Sequence, residues 1–396
     1  MSSLRTIPYA RQSVSEADIQ AVVSVLRSDY LTQGPVVPAF EHAVANYCGA
    51  RQAIAVSSAT AALHIACLAL GLGPGDWLWT SPITFVASAN CGLYCGAQVD
   101  FVDIDTQTFN MSPEALEKKL ITAKLQGKLP KVVVPVHMCG QPCDMVAIHA
   151  LSLTYGFKII EDASHAIGAK YKGEPVGNCR YSNITVFSFH PVKIITAAEG
   201  GMALTNEESL AKKMALLRSH GISSTPAEML QRPEGEIWNY QQHDLGFNYR
   251  LTELQAALGL SQLKQLDFFI EKRRALAKSY NFAFRDMPLT TPWQHPDTSS
   301  SYHLYPVQII GSDGVPKQKQ IFKMMKNAGI MVNMHYIPIY LHPYFQKLGF
   351  KQGYCPSAEQ YFKRAISIPL YPDLTKTQFT KVVSEFRKIL ITDGDQ

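Results

Sequence analysis

Four polar segments of the chain combine residue types and spacings that could do chemistry. In the first, VSSATAALHIA (residues 56–66), a predicted strand runs into a helix that opens with Ser58, Ala59 and Thr60. Unpaired backbone N–H groups and the helix dipole make such a helix start a binding site for anions. An ordinary Ser/Thr N-cap explains the same residues, so both interpretations stay open.

The second segment, IIEDASHAIGA (residues 159–169), places Glu161, Asp162 and His165 directly after a predicted buried strand. A buried carboxylate needs a partner, because burying it alone costs on the order of several kcal/mol. The protonated ring nitrogen of a cofactor and a helix N-terminus would both serve as that partner. A catalytic role and a structural role therefore remain alternatives for these acids.

The remaining two segments supply a lysine and an amide. In VFSFHPVKIITAAEGG (residues 186–201), Ser188, His190 and Lys193 emerge from a strand into a turn flanked by apolar residues. A lysine in apolar surroundings has a lowered pKa and can form a Schiff base, whereas most lysines are simply solvated. In HDLGFNYRLTELQAALGLSQL (residues 243–263), Asn248 and Arg250 precede a helix that they could cap.

Taken together, the segments contain an anion cradle, the buried Asp162 and, 31 residues later, the reactive Lys193. These are the parts that hold pyridoxal 5'-phosphate (PLP): a helix start for the phosphate, an aspartate for the ring nitrogen and a lysine for the aldehyde. The sequence has no P-loop and no HExxH zinc motif, and its glycine group GLGPGD (residues 71–76) lacks the dinucleotide-binding spacing. The combination favours a PLP site.

Eight cysteines in 396 residues are too few for a disulfide scaffold and indicate reduced, mostly buried thiols. The pairs Cys91/Cys95 and Cys139/Cys143 raise the alternative of a zinc site with four thiolate ligands. Structural zinc sites favour shorter knuckle spacings, and Cys91 and Cys95 lie in an apolar helix-like stretch. We therefore expect no metal.

Composition limits the kinds of partner. Hydrophobic residues make up 46% of the chain and charged residues 17%, which allows a large core and excludes intrinsic disorder. The net charge of +5 suits an anionic small molecule but falls short of a nucleic-acid surface. The beginning MSSLRTIPYARQS lacks a secretory signal, and the apolar stretch 53–73 is interrupted by polar residues. We expect a cytoplasmic protein that binds neither nucleic acid nor membrane.

The elements that must position the four segments alternate between strand and helix. Predicted strands cover residues 53–57, 77–80, 98–104, 131–137, 158–162 and 184–189, and predicted helices cover 59–70, 85–95, 113–125 and 144–155. Continuous apolar strands separated by helices predict an α/β fold with a mostly parallel sheet covered on both faces.

The second half of the chain predicts a smaller α+β domain. After an irregular region, residues 222–248, one long helix is expected from Thr252 towards Phe284. Strands at 302–310 and 331–336, a helix from Pro316 and a final helix from Thr375 follow. We place the large domain at residues 1–265 and the small one at 266–396, with an N-terminal helix (residues 16–28) that packs against the small domain.

The motifs SSATAALH, EDASHAIG, VFSFHPVK, AEGGM and RSHGI, together with LTQGP near residue 31, make the sequence resemble the DegT/DnrJ family of nucleotide-sugar aminotransferases. The resemblance extends from residue 31 to residue 340. It implies fold type I, the aspartate-aminotransferase fold, with a large mixed sheet and a smaller C-terminal domain. It also implies PLP as cofactor and a homodimer with shared active sites.

The resemblance implies a role for each cofactor residue. Lys193 would carry the Schiff base and move the proton, Asp162 would hold the ring nitrogen, and His165 would lie near the ring. Phe85 would stack on the ring. The residues around the phosphate would be Ala59, Thr60, Ser188 and, from the neighbouring subunit, Asn248.

The resemblance also implies the substrates. L-glutamate would donate nitrogen to C4 of a UDP-linked 4-keto-6-deoxy-N-acetylhexosamine, as in pseudaminic acid biosynthesis; IPYARQ, DYLTQGP and SFHPVKIITAAEGG carry this narrower similarity. The family's basic residue in the 29–32 segment is replaced here by Asp29 and Tyr30. The substrate contacts implied are Tyr9, Asp29, Tyr30, Leu31, Thr32, His335 and Tyr336.

Three alternatives share most of these residues. A sibling aminotransferase would act on another dTDP-, GDP- or UDP-linked 3- or 4-keto sugar. A PLP-dependent sugar dehydratase of the family would carry a histidine in place of Lys193. A non-catalytic member of the family would have no need of both Asp162 and Lys193, so the intact pair favours an enzyme.

Overall fold

The computed structural model describes residues 6–230, 235, 236, 238–309 and 318–392. The strands are β1 (Gln52–Val56), β2 (Trp77–Thr80), β3 (Gln98–Phe101), β4 (Val132–Val134), β5 (Lys158–Asp162), β6 (Lys170–Tyr171), β7 (Glu174–Pro175), β8 (Ile184–Ser188), β9 (Gly201–Thr205), β10 (Ile222–Ser223), β11 (Gln241–Gln242), β12 (Leu289–Thr290), β13 (Thr298–Ser299), β14 (Tyr305–Ile309) and β15 (Ala365–Ile368).

The helices are α1 (Glu16–Leu26), α2 (Val36–Cys48), α3 (Ala59–Ala69), α4 (Ala87–Tyr94), α5 (Pro113–Gln126), α6 (Met145–Tyr155), α7 (Glu208–Leu217), α8 (Glu253–Leu263), α9 (Leu266–Phe284), α10 (Gln318–Asn327), α11 (Pro343–Lys347), α12 (Pro356–Arg364) and α13 (Lys376–Thr392). No helix among the described residues combines the length and the apolarity that a membrane crossing requires.

The main sheet confirms the predicted α/β fold. Its strands lie in the order β1-β9-β8-β5-β4-β2-β3, with parallel pairing from β8 through to β3 and antiparallel pairing of β9 with both neighbours. One face packs against α3, α4 and α7, and the other against α2, α5, α6 and α8. Because the central strands are covered on both faces, they are apolar throughout, as parallel strands usually are.

Local signals fix several helix starts near the carboxyl ends of the strands. Ser58 caps α3 by accepting a hydrogen bond from the N–H of Ala61 at 3.1 Å. Asp144 caps α6 in the same way, and Thr252 forms a capping box with Gln255 at the start of α8. These caps satisfy N–H groups that have no partner inside their helix, and the sequence predicted each start to within one residue.

The long helix predicted from Thr252 to Phe284 was wrong. The chain forms α8 and α9, which are separated by a turn at Lys264 and Gln265 whose N–H groups bond three residues back. Neither proline nor glycine marks this break, and the apolar periodicity continues through it. The turn lets Leu266 pack in the same core cluster as α2. The break in the helix therefore depends on tertiary packing and not on a local sequence signal.

The N-terminal helix also differs from the prediction. Helix α1 ends at Leu26 instead of residue 28, and it packs along α8 instead of against the small domain. The buried Gln262 of α8 joins the two helices by donating to Asp18 Oδ2 at 2.7 Å and to the carbonyl of Ser13 at 2.8 Å. A polar residue in the last turn of α8 therefore stabilises this contact, which apolar periodicity does not reveal.

The smaller sheet has the order β12-β14-β15 and packs with α9, α10 and α13 around a separate core cluster. The strand predicted at 331–336 does not form; the chain makes only the isolated bridges of Ile330 with Ile7 and Asn333 with Ser367. The strand predicted from 302 begins at Tyr305, and its predicted end at 310 and the helix start at 316 lie outside the described residues. The domain division at residue 265 stays a prediction.

Candidate active site

A cavity of about 860 Å³ opens at the carboxyl ends of β1, β5 and β8. Strand ends in open α/β sheets commonly bind ligands in this place. Most of the predicted cofactor residues line it, and so do three of the predicted substrate residues. The predicted residues in its wall are Tyr9, Ala59, Thr60, Phe85, Asp162, His165, Ser188, Lys193, His335 and Tyr336.

The predicted anion cradle lies on one side of the cavity. Ser58 caps α3, and the N–H groups of Ala59 and Thr60 follow in its first turn, where helical N–H groups have no intrahelical acceptor. Strand β9 starts against this helix end: a Cβ atom on Gly201 would lie 2.4 Å from the nitrogen of Ala59. Glycine is therefore required at 201, and the end of β8 brings the buried Ser188 to the same cavity.

Strand alternation separates the two acids that end β5. Asp162 faces the cavity, where its Oδ2 accepts from Ser88 Oγ at 2.6 Å and its Oδ1 accepts from Ser164 Oγ at 2.6 Å. Glu161 points to the opposite face of the sheet, as successive residues of a strand do, and pairs with His137 Nε2 at 2.7 Å. The sequence left open a catalytic and a structural role for these acids. Glu161 has the surroundings of a structural residue, because it is paired in the core, whereas Asp162 faces the cavity.

Lys193 lies in the loop between β8 and β9. Its backbone N–H donates to the carbonyl of His190 at 2.9 Å, which forms the turn predicted there. Burial lowers the pKa of the Lys193 amine to about 8, while the charge of Asp162 acts in the opposite direction. The unprotonated, nucleophilic form of this amine is therefore more populated near neutral pH than in an ordinary solvated lysine.

His165 is buried beside these groups and stays neutral. Burial lowers its pKa well below the usual range, and the positive charge of Lys193 adds to this effect. Its Nε2 is 3.2 Å from the Tyr336 hydroxyl, whose own pKa is raised by burial. Its Nδ1 is buried and has no hydrogen-bond partner among the described residues.

Aromatic side chains form the mouth of the cavity. Phe85 lies just before α4 rather than inside the helix predicted from residue 85, and it is 59% exposed. Its ring centroid is 6.5 Å from that of Tyr336, and Tyr9 lies 5.3 Å from His335. The His335 Nδ1 is 2.9 Å from Ser367 Oγ, and burial lowers the pKa of this histidine to about 3.

Five predicted residues lie outside the cavity of their own chain. Asn248 is exposed, and its backbone forms a bridge with Ser219. The others are the consecutive exposed residues between α1 and α2, which are Asp29, Tyr30, Leu31 and Thr32. Among these, the carbonyl of Leu31 accepts from the N–H of Glu253 at 3.2 Å, which fixes the segment at the start of α8.

Sequence reasoning missed several residues of the site. Ser88 and His303 are brought in from α4 and from the approach to β14, so no local motif connects them with Asp162 or His165. Ser164 could have been found, because a serine two residues after an aspartate often hydrogen-bonds to it. Further cavity residues not predicted to bind are His190, Glu199, Asn333 and His342.

The cysteines form no recognisable metal site. All eight are free and buried, and the residues that the structure describes contain no group of three or more His, Cys, Asp or Glu side chains that could hold a metal ion. Cys91 donates to the carbonyl of Ser88 at 3.3 Å, and Cys143 donates to that of Val136 at 3.2 Å. These thiols therefore pack as small core residues.

The cavity fits PLP. A helix start and a serine hydroxyl lie on one side for the phosphate, and Asp162 lies at the end of β5 for the ring nitrogen. Lys193 presents an amine of lowered pKa to the same space. His165 lines the same space beside these groups.

An aminotransferase family model and two curated proteins match almost the whole chain. Residues 12–387 match the DegT/DnrJ/EryC1/StrS aminotransferase family. The spore coat polysaccharide biosynthesis protein SpsC of Bacillus subtilis is 38% identical over 387 residues, 97% of each chain. The UDP-4-amino-4,6-dideoxy-N-acetyl-beta-L-altrosamine transaminase of Campylobacter jejuni (serotype O:2) is 36% identical over 369 residues, 93% of each chain.

The fold is shared with solved aminotransferases. Helicobacter pylori PseC, an aminotransferase involved in the biosynthesis of pseudoaminic acid, superimposes with a TM-score of 0.88 at 32% identity, over 98% of this chain and 100% of that one. The sequence match, the shared fold and a cavity that fits PLP agree. The chain therefore belongs to the DegT/DnrJ/EryC1/StrS family and is a PLP-dependent sugar aminotransferase.

Proposed function

We propose that the protein transfers the amino group of L-glutamate to C4 of a UDP-linked 4-keto-6-deoxy-N-acetylhexosamine, a step of pseudaminic acid biosynthesis. The observation that carries the aminotransferase chemistry is the convergence of Lys193, Asp162 and the start of α3 on one cavity. The finer substrate is supported by the names of the Campylobacter and Helicobacter relatives and by their coverage of nearly the full chain.

The residues would divide the work as follows. The N–H groups of Ala59 and Thr60 and the hydroxyl of Ser188 would bind the phosphate, Phe85 would stack on the ring, and Asp162 would hold the ring nitrogen in its protonated form. Bound PLP supplies an electron sink for the negative charge that develops when a carbon loses its proton. Ser88 and Ser164 keep the Asp162 carboxylate oriented through hydrogen bonds of 2.6 Å each.

Lys193 would move the proton. Its amine has a pKa of about 8 because burial disfavours the charged form, so it can accept a proton and return it near neutral pH. His165 is neutral and buried, so it does not compete for this proton. It would instead lie near the cofactor ring in the wall of the cavity.

Substrate contacts would come from two groups of residues, one in the cavity wall and one outside it. Tyr9, His335 and Tyr336 line the cavity and would contact the sugar. Residues 29–32 are exposed and lie away from the cavity of their own chain. We propose that they serve the neighbouring subunit, together with Asn248 at its phosphate, in a homodimer with shared sites.

The test is a side-by-side assay with glutamate of the 4-keto L-arabino and D-xylo epimers of the UDP-linked sugar. We expect a marked preference in kcat/KM for the L-arabino epimer, because a site that hydrogen-bonds hydroxyl groups discriminates strongly between epimers. Preference for the D-xylo epimer, or for a dTDP-linked 3-keto sugar, would assign a sibling activity.

That sibling activity is the second candidate. Two observations favour it: the 38% identity to SpsC, whose name places it in spore coat polysaccharide biosynthesis, and the pair Asp29 and Tyr30, which replaces a basic residue. The cofactor residues are the same in both candidates. The epimer assay therefore separates the two without testing the PLP site itself.

A further inference from the structure

A second buried imidazole, His303, lies directly against His165 and has no part in the chemistry described so far. The two ring centroids are 4.4 Å apart with an interplanar angle of 40°. His303 is only 2% exposed, lines the cavity, and its Nδ1 has no partner among the described residues. His303 is therefore a buried polar side chain beside the cofactor site to which no role has been assigned.

Three chain segments meet tightly around this pair. The N–H of His303 donates to the carbonyl of Cys139 at 2.9 Å, and Ser301 Oγ donates to the carbonyl of His165 at 2.8 Å. Gly140 lies between them with φ of 96°, and a Cβ atom there would be 2.4 Å from Ser301 Oγ and 2.8 Å from the His165 carbonyl oxygen. The segment that carries His303 therefore approaches His165 as closely as a glycine permits.

The residue that directly precedes His303 has a strained backbone conformation. Tyr302 has φ of 47°, a left-handed conformation that costs a non-glycine residue about 1–2 kcal/mol. The buried Arg273 holds this turn by donating from Nη1 to the carbonyls of Tyr302 and His303, at 3.3 and 3.2 Å. Strain that is retained next to a ligand cavity indicates that the resulting direction of the side chain matters.

The charge state suits a packing role. Burial lowers the pKa of His303 well below the usual range, and the positive charges of Lys193 and Arg273 act in the same direction. His165 is neutral for the same reason. Two neutral rings can pack in this tilted arrangement without charge repulsion, so His303 supports His165 mechanically and does not titrate against it.

We propose that His303 is a positioning residue of the PLP site, whose ring fixes the orientation of His165 in the cavity wall beside the cofactor. The Tyr336 hydroxyl lies 3.2 Å from His165 Nε2, so ring packing and this hydrogen bond together leave one orientation. The inference rests on the proposed place of His165 beside the cofactor. His303 acts through His165 and not on the substrate.

The experiment compares His303→Ala with His303→Phe in the holoenzyme. Two readouts other than turnover are measured: the dissociation constant for PLP and the midpoint pH of the change in the visible absorbance band of the bound cofactor. We expect His303→Ala to weaken PLP binding by about tenfold and to move the midpoint by about half a pH unit, because supporting residues behind a ligand contact have effects of this size. His303→Phe keeps a flat ring and should stay near the wild-type values.

Controls separate support from general stability. His149→Ala removes a partly buried histidine of α6 that packs on Tyr181, away from the cavity. This variant should change neither readout. If His303→Ala does not fold, the values of His303→Phe decide, since the proposal requires them to match the wild type. Unchanged values for His303→Ala, or equal losses for His303→Ala and His303→Phe, would overturn the proposal.

His165→Ala is measured in parallel to distinguish two failures. If His165→Ala leaves PLP affinity and the absorbance midpoint unchanged, the proposed role of His165 itself is wrong, and the present inference falls with it. If His165→Ala changes them and His303→Ala does not, only the inference about His303 is wrong.

Discussion

At the scale of single residues, the neighbouring acids of β5 provide an internally controlled test. Asp162→Ala should fold normally but lose about 10²–10³-fold in kcat, because the charge that keeps the cofactor nitrogen protonated is removed. Glu161→Gln should keep its activity per folded molecule and lose about 1–3 kcal/mol of unfolding free energy, since Glu161 accepts from His137, Ser182 and Thr185 in the core. Steady-state kinetics and denaturant unfolding measure both; the opposite pattern would exchange the two roles.

Lys193 predicts a pH dependence of cofactor loading. Only the unprotonated amine attacks the aldehyde, so the rate of PLP incorporation into the cofactor-free protein should rise with pH, with a midpoint near pH 8, and level off above it. Asp162→Asn should move this curve to lower pH, because the Asp162 charge raises the Lys193 pKa. Stopped-flow absorbance checks both curves. A wild-type midpoint near the ordinary lysine value of about 10.4 would show that the amine is solvated.

The sequence predicted most residues of the cofactor cavity because they lie in three short motifs at strand ends. It did not predict Ser88 and His303, which reach Asp162 and His165 from other parts of the chain. Their positions depend on how α4 packs on the sheet and on the junction at Gly140. Such contacts are tertiary, and no local pattern in a single sequence encodes them.

At the scale of elements, the loop between β8 and β9 carries strain that can be measured. Ala198 has φ of 65°, is exposed, and donates its N–H to Thr196 Oγ1 at 3.0 Å. Ala198→Gly should raise the unfolding free energy by about 0.5–1 kcal/mol, because relief of the left-handed strain exceeds the entropy cost of the added glycine. Ala150→Gly, at an exposed position in the middle of α6, should lower it by about 0.5–1 kcal/mol. Equal losses in chemical denaturation would exclude a strained loop.

Element boundaries were predictable wherever a cap or a glycine marks them, as at Ser58, Asp144 and Gly156. The break between α8 and α9 was not, since the residues around Lys264 and Gln265 are good helix formers. The strand expected at 331–336 failed for a related reason. Its apolar residues are buried by contacts with residue 7 and with β15, and pairing is limited to single bridges.

At the scale of the whole molecule, the homodimer with shared sites that we propose predicts complementation between inactive variants. Lys193→Ala and Asn248→Ala subunits should each be inactive, and mixing them after mild unfolding should restore about a quarter of the wild-type activity. Half of the dimers are then mixed, and one of their two sites is intact. Activity assays before and after subunit exchange measure this. No recovery in dimers shown to be mixed would place Asn248 at the site of its own chain.

The account depends most directly on Lys193 as the residue that holds PLP. Reducing the purified holoenzyme with borohydride fixes the cofactor covalently to its lysine, and proteolysis with peptide mass mapping then identifies that lysine. We predict a phosphopyridoxyl group on the peptide that contains Lys193 and the loss of this label in Lys193→Ala. A label on a different lysine, or unlabelled protein after loading with PLP, would contradict the assignment of the site.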